Sequence, residues 1–154
     1  MPEPRWLSES ELRAWGGLQF MQRRLLGGLA RSLEANSNLS LPDYEVLIAL
    51  TAQPEGRHRI FELAEDLAWE KSRLSHHVTR MVDRGLVEKQ RCSADRRGWH
   101  VSVTAEGRQA IEAAAPSHVE TVRKLFVDRL SPKQLAAVAE VAEVVLSGLS
   151  EEGG

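Results

Sequence analysis

The chain has 154 residues, 42% of them hydrophobic and 27% charged, which suits a folded globular domain and excludes a disordered one. Its net charge of −2 argues against a polycation that coats nucleic acid at large, and its single cysteine excludes an internal disulfide and fits a reducing cytoplasm. No apolar run is long enough to span a bilayer and the opening MPEPRWLSESE lacks the apolar centre of a signal peptide, so no membrane partner is expected.

A long helix is predicted from Ser8 to about Ala35. Ser8 and Glu11 have capping-box spacing, and Leu12, Trp15, Leu18, Met21, Leu25, Leu29 and Leu33 supply an apolar stripe. Gly16, Gly17, Gly27 and Gly28 each cost roughly 1 kcal/mol relative to alanine, so they mark a bend or a close approach of another helix. After a polar connector from Asn36, Ser40 caps a second helix. Pro42 and Asp43 lie in its first turn, with Tyr44, Leu47, Ile48 and Leu50 available for burial. Gln53-Pro54-Glu55-Gly56 reads as a turn and Arg57 to Arg59 as a short strand.

The stretch from Ile60 to Thr104 organises the chain. Ile60, Leu63, Ala64 and Leu67 give a short amphipathic helix, followed by a turn through Ala68 and Trp69. A second helix starts near Glu70 with Leu74, Val78, Met81 and Val82 as its apolar stripe. Its opposite face carries Lys71, Ser72, Arg73, Ser75, His76, His77 and Arg80. Gly85 ends that helix, and strands follow at Leu86 to Gln90 and Trp99 to Thr104. Between them lies a polar loop holding Arg91, Arg96 and Arg97. Two helices, a turn and a hairpin with a basic tip make a winged helix-turn-helix.

Thr104 then caps a helix beginning at Ala105. Pro116 is expected to kink or break it, with helix resuming through Val119, Val122, Leu125 and Phe126. Ser131 and Gln134 form another capping box, with Pro132 at the first helical position, for a last helix running to about Leu149. The fold class is therefore mainly α with a small β-wing. Residues 1–40 are read as a dimerisation helix and connector, 41–104 as the winged domain and 105–154 as further dimerisation helices. The terminal stripes exceed what a lone helix-turn-helix can cover. They pack on the same chain or on a two-fold mate; a homodimer is expected, and it suits a palindromic double-stranded DNA operator.

Charge is distributed to match. Residues 70–100 hold eight Lys or Arg against four acids, a local balance of +4 that leaves −6 on the remainder. A helix in the major groove reaches base edges from its first two turns, where Ser72, Arg73, Ser75, His76 and His77 stand. Arg73 is the candidate for bidentate contact with guanine, while Ser72, Ser75 and Arg80 suit phosphates or a mixture of both roles, and Lys71 is counted with them among the DNA-binding residues. Helix capping competes as the role of Ser72, and an intramolecular ion pair as that of Arg80. Adjacent helical residues diverge by about 100°, so His76 and His77 make no chelating pair and no metal or other cofactor is expected. One or both are expected to face DNA, where protonation strengthens phosphate attraction. Trp69 and Trp99 are read as packing anchors.

These elements in this order, with LAEDLAWEKSRLSHHVTRMVDRGLV, Asp95-Arg96-Arg97 and then V-S-V-T-A-E-G, resemble the MarR family of transcriptional regulators. The motifs cover about residues 41–108, and the flanking helices match by layout. The resemblance implies a dimer that usually represses genes and leaves DNA when a small, often aromatic, ligand binds. It also implies that Arg97 enters the minor groove, Asp95 orients it and Arg96 contacts the backbone. The histidine pair departs from many relatives, so no operator sequence carries over. The redox branch of the family uses a cysteine in the first helix, and this chain has none there. A ligand site is expected between the dimerisation helices and the winged domain, with Trp15, Leu18 and Tyr44 as candidate lining residues; core burial is their competing role.

Two alternatives keep the fold. One is a protein-interaction module, which leaves the arginine tip without a purpose. The other is a redox-responsive regulator acting through Cys92 in the basic loop. An enzyme is not expected, because no nucleophile–base pair, phosphate loop or metal cluster is apparent in the sequence.

Overall fold

A computed structural model of the chain describes residues 1–91 and 98–153. The chain divides into two compact units, Met1–Gly28 with Val119–Gly154, and Leu29–His118.

The second unit is the winged helix-turn-helix. It takes the end of α1 (Glu9–Asn36), then α2 (Leu41–Thr51), a 3-10 turn (Pro54–Gly56), β1 (Arg57–Arg59), α3 (Ile60–Leu67), α4 (Lys71–Asp83), β2 (Val87–Arg91), β3 (Trp99–Val103) and the start of α5 (Ala105–Leu125). The three strands form an antiparallel sheet in the order β1-β3-β2, with His58 opposite Val101 and Lys89 opposite Val101 on its other side. Leu33, Val46, Leu47, Leu50, Leu63, Leu74, Val78, Met81, Val87 and Val101 are buried in one core. Each large apolar side chain removed from water there contributes about 1.5–3 kcal/mol. Trp69 and Trp99 pack, partly buried, against it.

Local chemistry sets the boundaries. Ser40 Oγ accepts from the Asp43 N–H and Asp43 Oδ2 accepts from the Ser40 N–H, closing a capping box at α2. Between α3 and α4 the chain turns on Ala68, whose φ of 54° is left-handed and directs α4 away from α3. Gly85, at φ 76°, supplies the corresponding turn from α4 into β2. Thr104 knots the base of the wing: its hydroxyl lies 2.6 Å from the Gly85 carbonyl and accepts from the Gly107 N–H at 3.0 Å.

Two expectations about burial are corrected. Asp43, Val46, Leu47 and Leu50 form the i, i+3, i+4, i+7 stripe of α2, so Ile48 falls outside it and is exposed. In α4 the same spacing runs through Leu74, His77, Val78 and Met81, leaving Val82 exposed. Each helix thus carries one polar residue on its buried stripe.

The first unit holds the greater part of α1, the end of α5, a 3-10 turn (Val127–Arg129) and α6 (Pro132–Glu152). Ser8 with Glu11, and Ser131 with Gln134, close the capping boxes that start α1 and α6. Of the expected kink or break at Pro116, the break does not occur: α5 is one helix through that residue. Proline there deletes one donor, and both Pro116 and Glu112, whose carbonyl loses that donor, are exposed, so water can take its place. Of the paired glycines, Gly28 marks a close approach: a Cβ there would lie 2.8 Å from Leu125 Cδ1. Gly16 and Gly17 face open space. No residue of α6 is buried within the single chain. Among the described residues no helix is long and apolar enough to cross a membrane.

Candidate nucleic-acid interface

Helix α4 presents Lys71, Ser72, Arg73, His76 and Arg80 to solvent, with Ser75 half-buried. Its N-cap is Glu70 and makes no side-chain capping bond, so Ser72 lies inside the first turn and does not cap. Several cations on this face are held by aromatic rings. Arg73 Cζ stands 4.1 Å from the centroid of Trp69, and Lys71 Nζ 4.7 Å from that of Phe61. On the wing, Lys89 Nζ lies 4.7 Å and Arg91 Cζ 5.6 Å from the Trp99 ring. An exposed cation–π contact is worth roughly 0.5–1 kcal/mol, enough to bias a long side chain toward one position without neutralising its charge. The two tryptophans therefore anchor the core and carry the cations as well.

Two concavities flank α4. One, of about 440 Å³, is bounded by Asn38, Ser40 and Pro42 and by Arg73, Arg80 and Arg84, with Asp43 and His77 also in its lining. The other, of about 130 Å³, lies among Ile60, Phe61, Lys71, Ser75, Lys89 and Trp99. Cations border both.

His77 does not face outward with its neighbour; this expectation is corrected. It is only 8% exposed and meets Asp43, which is 1% exposed, where the buried stripes of α2 and α4 converge. Asp43 Oδ1 accepts from His77 Nε2 at 2.9 Å, and Oδ2 accepts from Arg84 Nη1 at 2.6 Å and from the Ser40 N–H. Arg84 also donates to the Asn38 carbonyl. Burial works to raise the Asp43 pKa. The His77 and Arg84 hydrogen bonds, the Ser40 N–H and the Arg84 charge outweigh it and hold the carboxyl well below the usual carboxylate range. A polar residue on an apolar stripe is tolerated here because its partner occupies the facing stripe.

Arg80 donates from Nη2 to His77 Nδ1 at 3.1 Å and has no carboxylate partner among the described residues, so the competing ion-pair role is not observed. Arg73 is likewise without a carboxylate ion pair, although its charge offsets part of the burial that raises the Glu45 pKa. Asp43 and Arg84 line the concavity beside α4 and are parts of the candidate site that sequence reasoning missed. Asp43 was legible only as a first-turn acid three residues after Ser40. Cys92, Asp95, Arg96 and Arg97 lie outside the described residues.

The candidate ligand residues are divided between the units. Trp15 and Leu18 are exposed on α1 in the first, whereas Tyr44 is buried in the second. The Tyr44 ring lies 4.2 Å from that of His118, whose Nδ1 is buried without a hydrogen-bond partner. Among the described residues no group of three or more His, Cys, Asp or Glu is arranged to hold a metal ion.

A helix-turn-helix with a basic, exposed second helix and a β-wing defines a winged-helix DNA-binding protein. Residues 37–98 match the model of the MarR family. Transcriptional regulator HosA of Escherichia coli is 34% identical over 97 residues, 63% of this chain and 70% of its own length. Two Streptomyces coelicolor MarR family regulators of known structure are also 34% identical. AbsC superposes with a TM-score of 0.88 over 96% of this chain and 99% of its own. Sco3205, solved in complex with DNA, superposes with 0.90 over 97% and 93%. The chain belongs to the MarR family of DNA-binding transcriptional regulators.

Proposed function

We propose that the protein is a sequence-specific regulator that binds a palindromic operator as a homodimer, with α4 of each copy in a major groove. The observation that carries this reading is the outward face of α4, where Arg73 is braced on Trp69 and, among the described residues, neither Arg73 nor Arg80 is neutralised by a carboxylate ion pair. The DNA complex of Sco3205, similar along nearly the whole chain, supports it. Arg73 would pair with guanine, while Lys71, Ser72, Ser75, His76 and Arg80 meet phosphates and groove edges. Arg97 would enter the minor groove, positioned by Asp95, with Arg96 on the backbone.

Selection of sites from a random duplex library at two salt concentrations tests the reading. It is expected to recover a palindrome with half-sites about one helical turn apart. Arg73→Ala should then weaken binding by about 1–3 kcal/mol and relax preference at one base pair per half-site. Salt-sensitive binding with no preferred sequence would favour an interaction module instead.

In the same proposal the terminal helices dimerise the protein. Val141, Val144, Val145, Leu146 and Leu149 are all exposed along α6, an apolar surface that a second copy would cover. Leu146→Glu is expected to halve the mass measured by light scattering at micromolar concentration. An unchanged mass would remove α6 from the interface. The protein would act as a repressor, released by a small aromatic ligand. The buried, unpaired His118 Nδ1 beside Tyr44 supports a ligand-responsive element in the winged unit.

A further inference from the structure

The two nitrogens of His77 have different partners, and this decides what the residue can do. Nδ1 lies 3.1 Å from Arg80 Nη2 and Nε2 lies 2.9 Å from Asp43 Oδ1. A guanidinium only donates, so Nδ1 must accept. A carboxylate at the Asp43 position only accepts, so Nε2 must carry the proton. The ring is thus a neutral imidazole in one tautomer. Asp43 cannot readily turn away, because its other oxygen is held by Arg84 and by the Ser40 N–H. The edge of the imidazole meets Trp69 at a centroid distance of 5.7 Å, and the same Trp69 carries Arg73.

From this geometry we infer that His77 is a positioning residue for DNA binding: Asp43 imposes its Nε2–H tautomer, and its Nδ1 holds the Arg80 guanidinium beside Arg73 at the groove. The inference rests on the reading of α4 as the DNA-contacting helix. A flexible arginine freezes several torsions when it meets a phosphate; one already anchored at a nitrogen loses less freedom on binding. His77 occupies a buried stripe position and is only 8% exposed, so it acts on the groove through the side chains it touches, Arg80 above all. One consequence reverses the expectation from sequence. A proton added to Nδ1 would replace the acceptor with a donor facing a cation, releasing Arg80 instead of adding a useful charge to the interface.

Glutamine and asparagine separate the two bonds. The amide of glutamine reaches the place of Nε2 and can serve Asp43, but it leaves nothing at Nδ1. The amide of asparagine stands at the place of Nδ1 and can accept from Arg80. Affinity of the full-length protein for the selected duplex is measured by fluorescence anisotropy for His77→Gln, His77→Asn, Arg80→Ala and the double variant His77→Gln/Arg80→Ala. Loss of one charge-assisted contact predicts about tenfold weaker binding by Arg80→Ala. His77→Gln should weaken binding comparably, the double variant should be no weaker than Arg80→Ala alone, and His77→Asn should bind more tightly than His77→Gln. Full additivity of the two substitutions, or wild-type affinity of His77→Gln beside a weakened Arg80→Ala, overturns the inference while leaving the DNA-binding reading in place. Wild-type affinity of Arg80→Ala removes the assignment of Arg80 to the interface and the inference with it. Imidazole 15N NMR of the unmodified protein gives a test that needs no variant. The Nε2–H tautomer with an accepting Nδ1 is expected, and an Nδ1–H or cationic ring at neutral pH overturns the proposal.

Discussion

Asp43→Ala is expected to destabilise the winged unit by about 3–5 kcal/mol, the range for breaking a buried ionic cluster from one side. The carboxylate accepts from His77, Arg84 and the Ser40 N–H, and alanine leaves those three donors without it. Typical domains are stable by only about 5–15 kcal/mol, so the loss would be a large share of the whole. Urea denaturation at pH 7 measures it directly, and a loss under about 1 kcal/mol would show the cluster to be dispensable. The same group sets an acid dependence. Its pKa is lowered in the folded state, so its stabilisation is complete above the unfolded value of about 3.9 and disappears as pH falls from there toward the folded value. Asp43→Asn has no proton to take up. The stability difference between the parent and this variant should therefore hold steady from pH 7 to 5 and narrow below about pH 4. A gap that stays constant to pH 2 would contradict the lowered pKa.

Gly107→Ala should cost about 3 kcal/mol, at the upper end of what overpacking usually costs. A Cβ at this position would stand 2.1 Å from the Leu86 carbonyl oxygen and 2.9 Å from Val103 Cγ2. The obstacle is backbone. The same Leu86 carbonyl accepts from the Thr104 N–H at 3.2 Å and lies 3.0 Å from its hydroxyl, so α5 cannot back away without loosening the wing base. Gly16→Ala is a useful control: nothing lies within 4 Å of the added methyl, and helix propensity predicts a gain of up to about 1 kcal/mol. Thermal denaturation of the two variants should move in opposite directions. Equal melting temperatures for the parent and Gly107→Ala would mean that the contact relaxes at no cost.

Local signals were the most legible part of the chain. The capping boxes at Ser8 and Ser131, the cap at Ser40, the turn at Ala68 and the alternation through Trp99, Val101 and Val103 each rest on chemistry within a few residues, and each element begins where that chemistry placed it. The exposed basic side of α4 was legible for the same reason. His77 was misplaced because its polarity was weighed above its spacing, although it follows Leu74 by three residues and precedes Met81 by four. Its partner could not be found locally: Asp43 lies 34 residues away and Arg84 a further seven beyond His77, with no periodicity linking the three. At Pro116 the expected break in α5 does not occur. A missing donor stops a helix only when the freed carbonyl has nowhere to turn, and that depends on solvent exposure, which a single sequence does not display.

The knot at Thr104 has a consequence for how such a protein can be re-engineered. Leu86 and Gly85 are tied to Thr104, and β3 is flanked on one edge by β1 and on the other by β2, so the hairpin is closed at its base from both sides. Arg91 and Trp99, which bracket positions 92–97 and Gly98, are paired across that frame. Chain-closure entropy grows only logarithmically with length, and doubling a flexible insert costs about 0.6 kcal/mol. Substitutions and length changes at positions 92–97 are therefore expected to leave the melting temperature of the protein nearly unchanged.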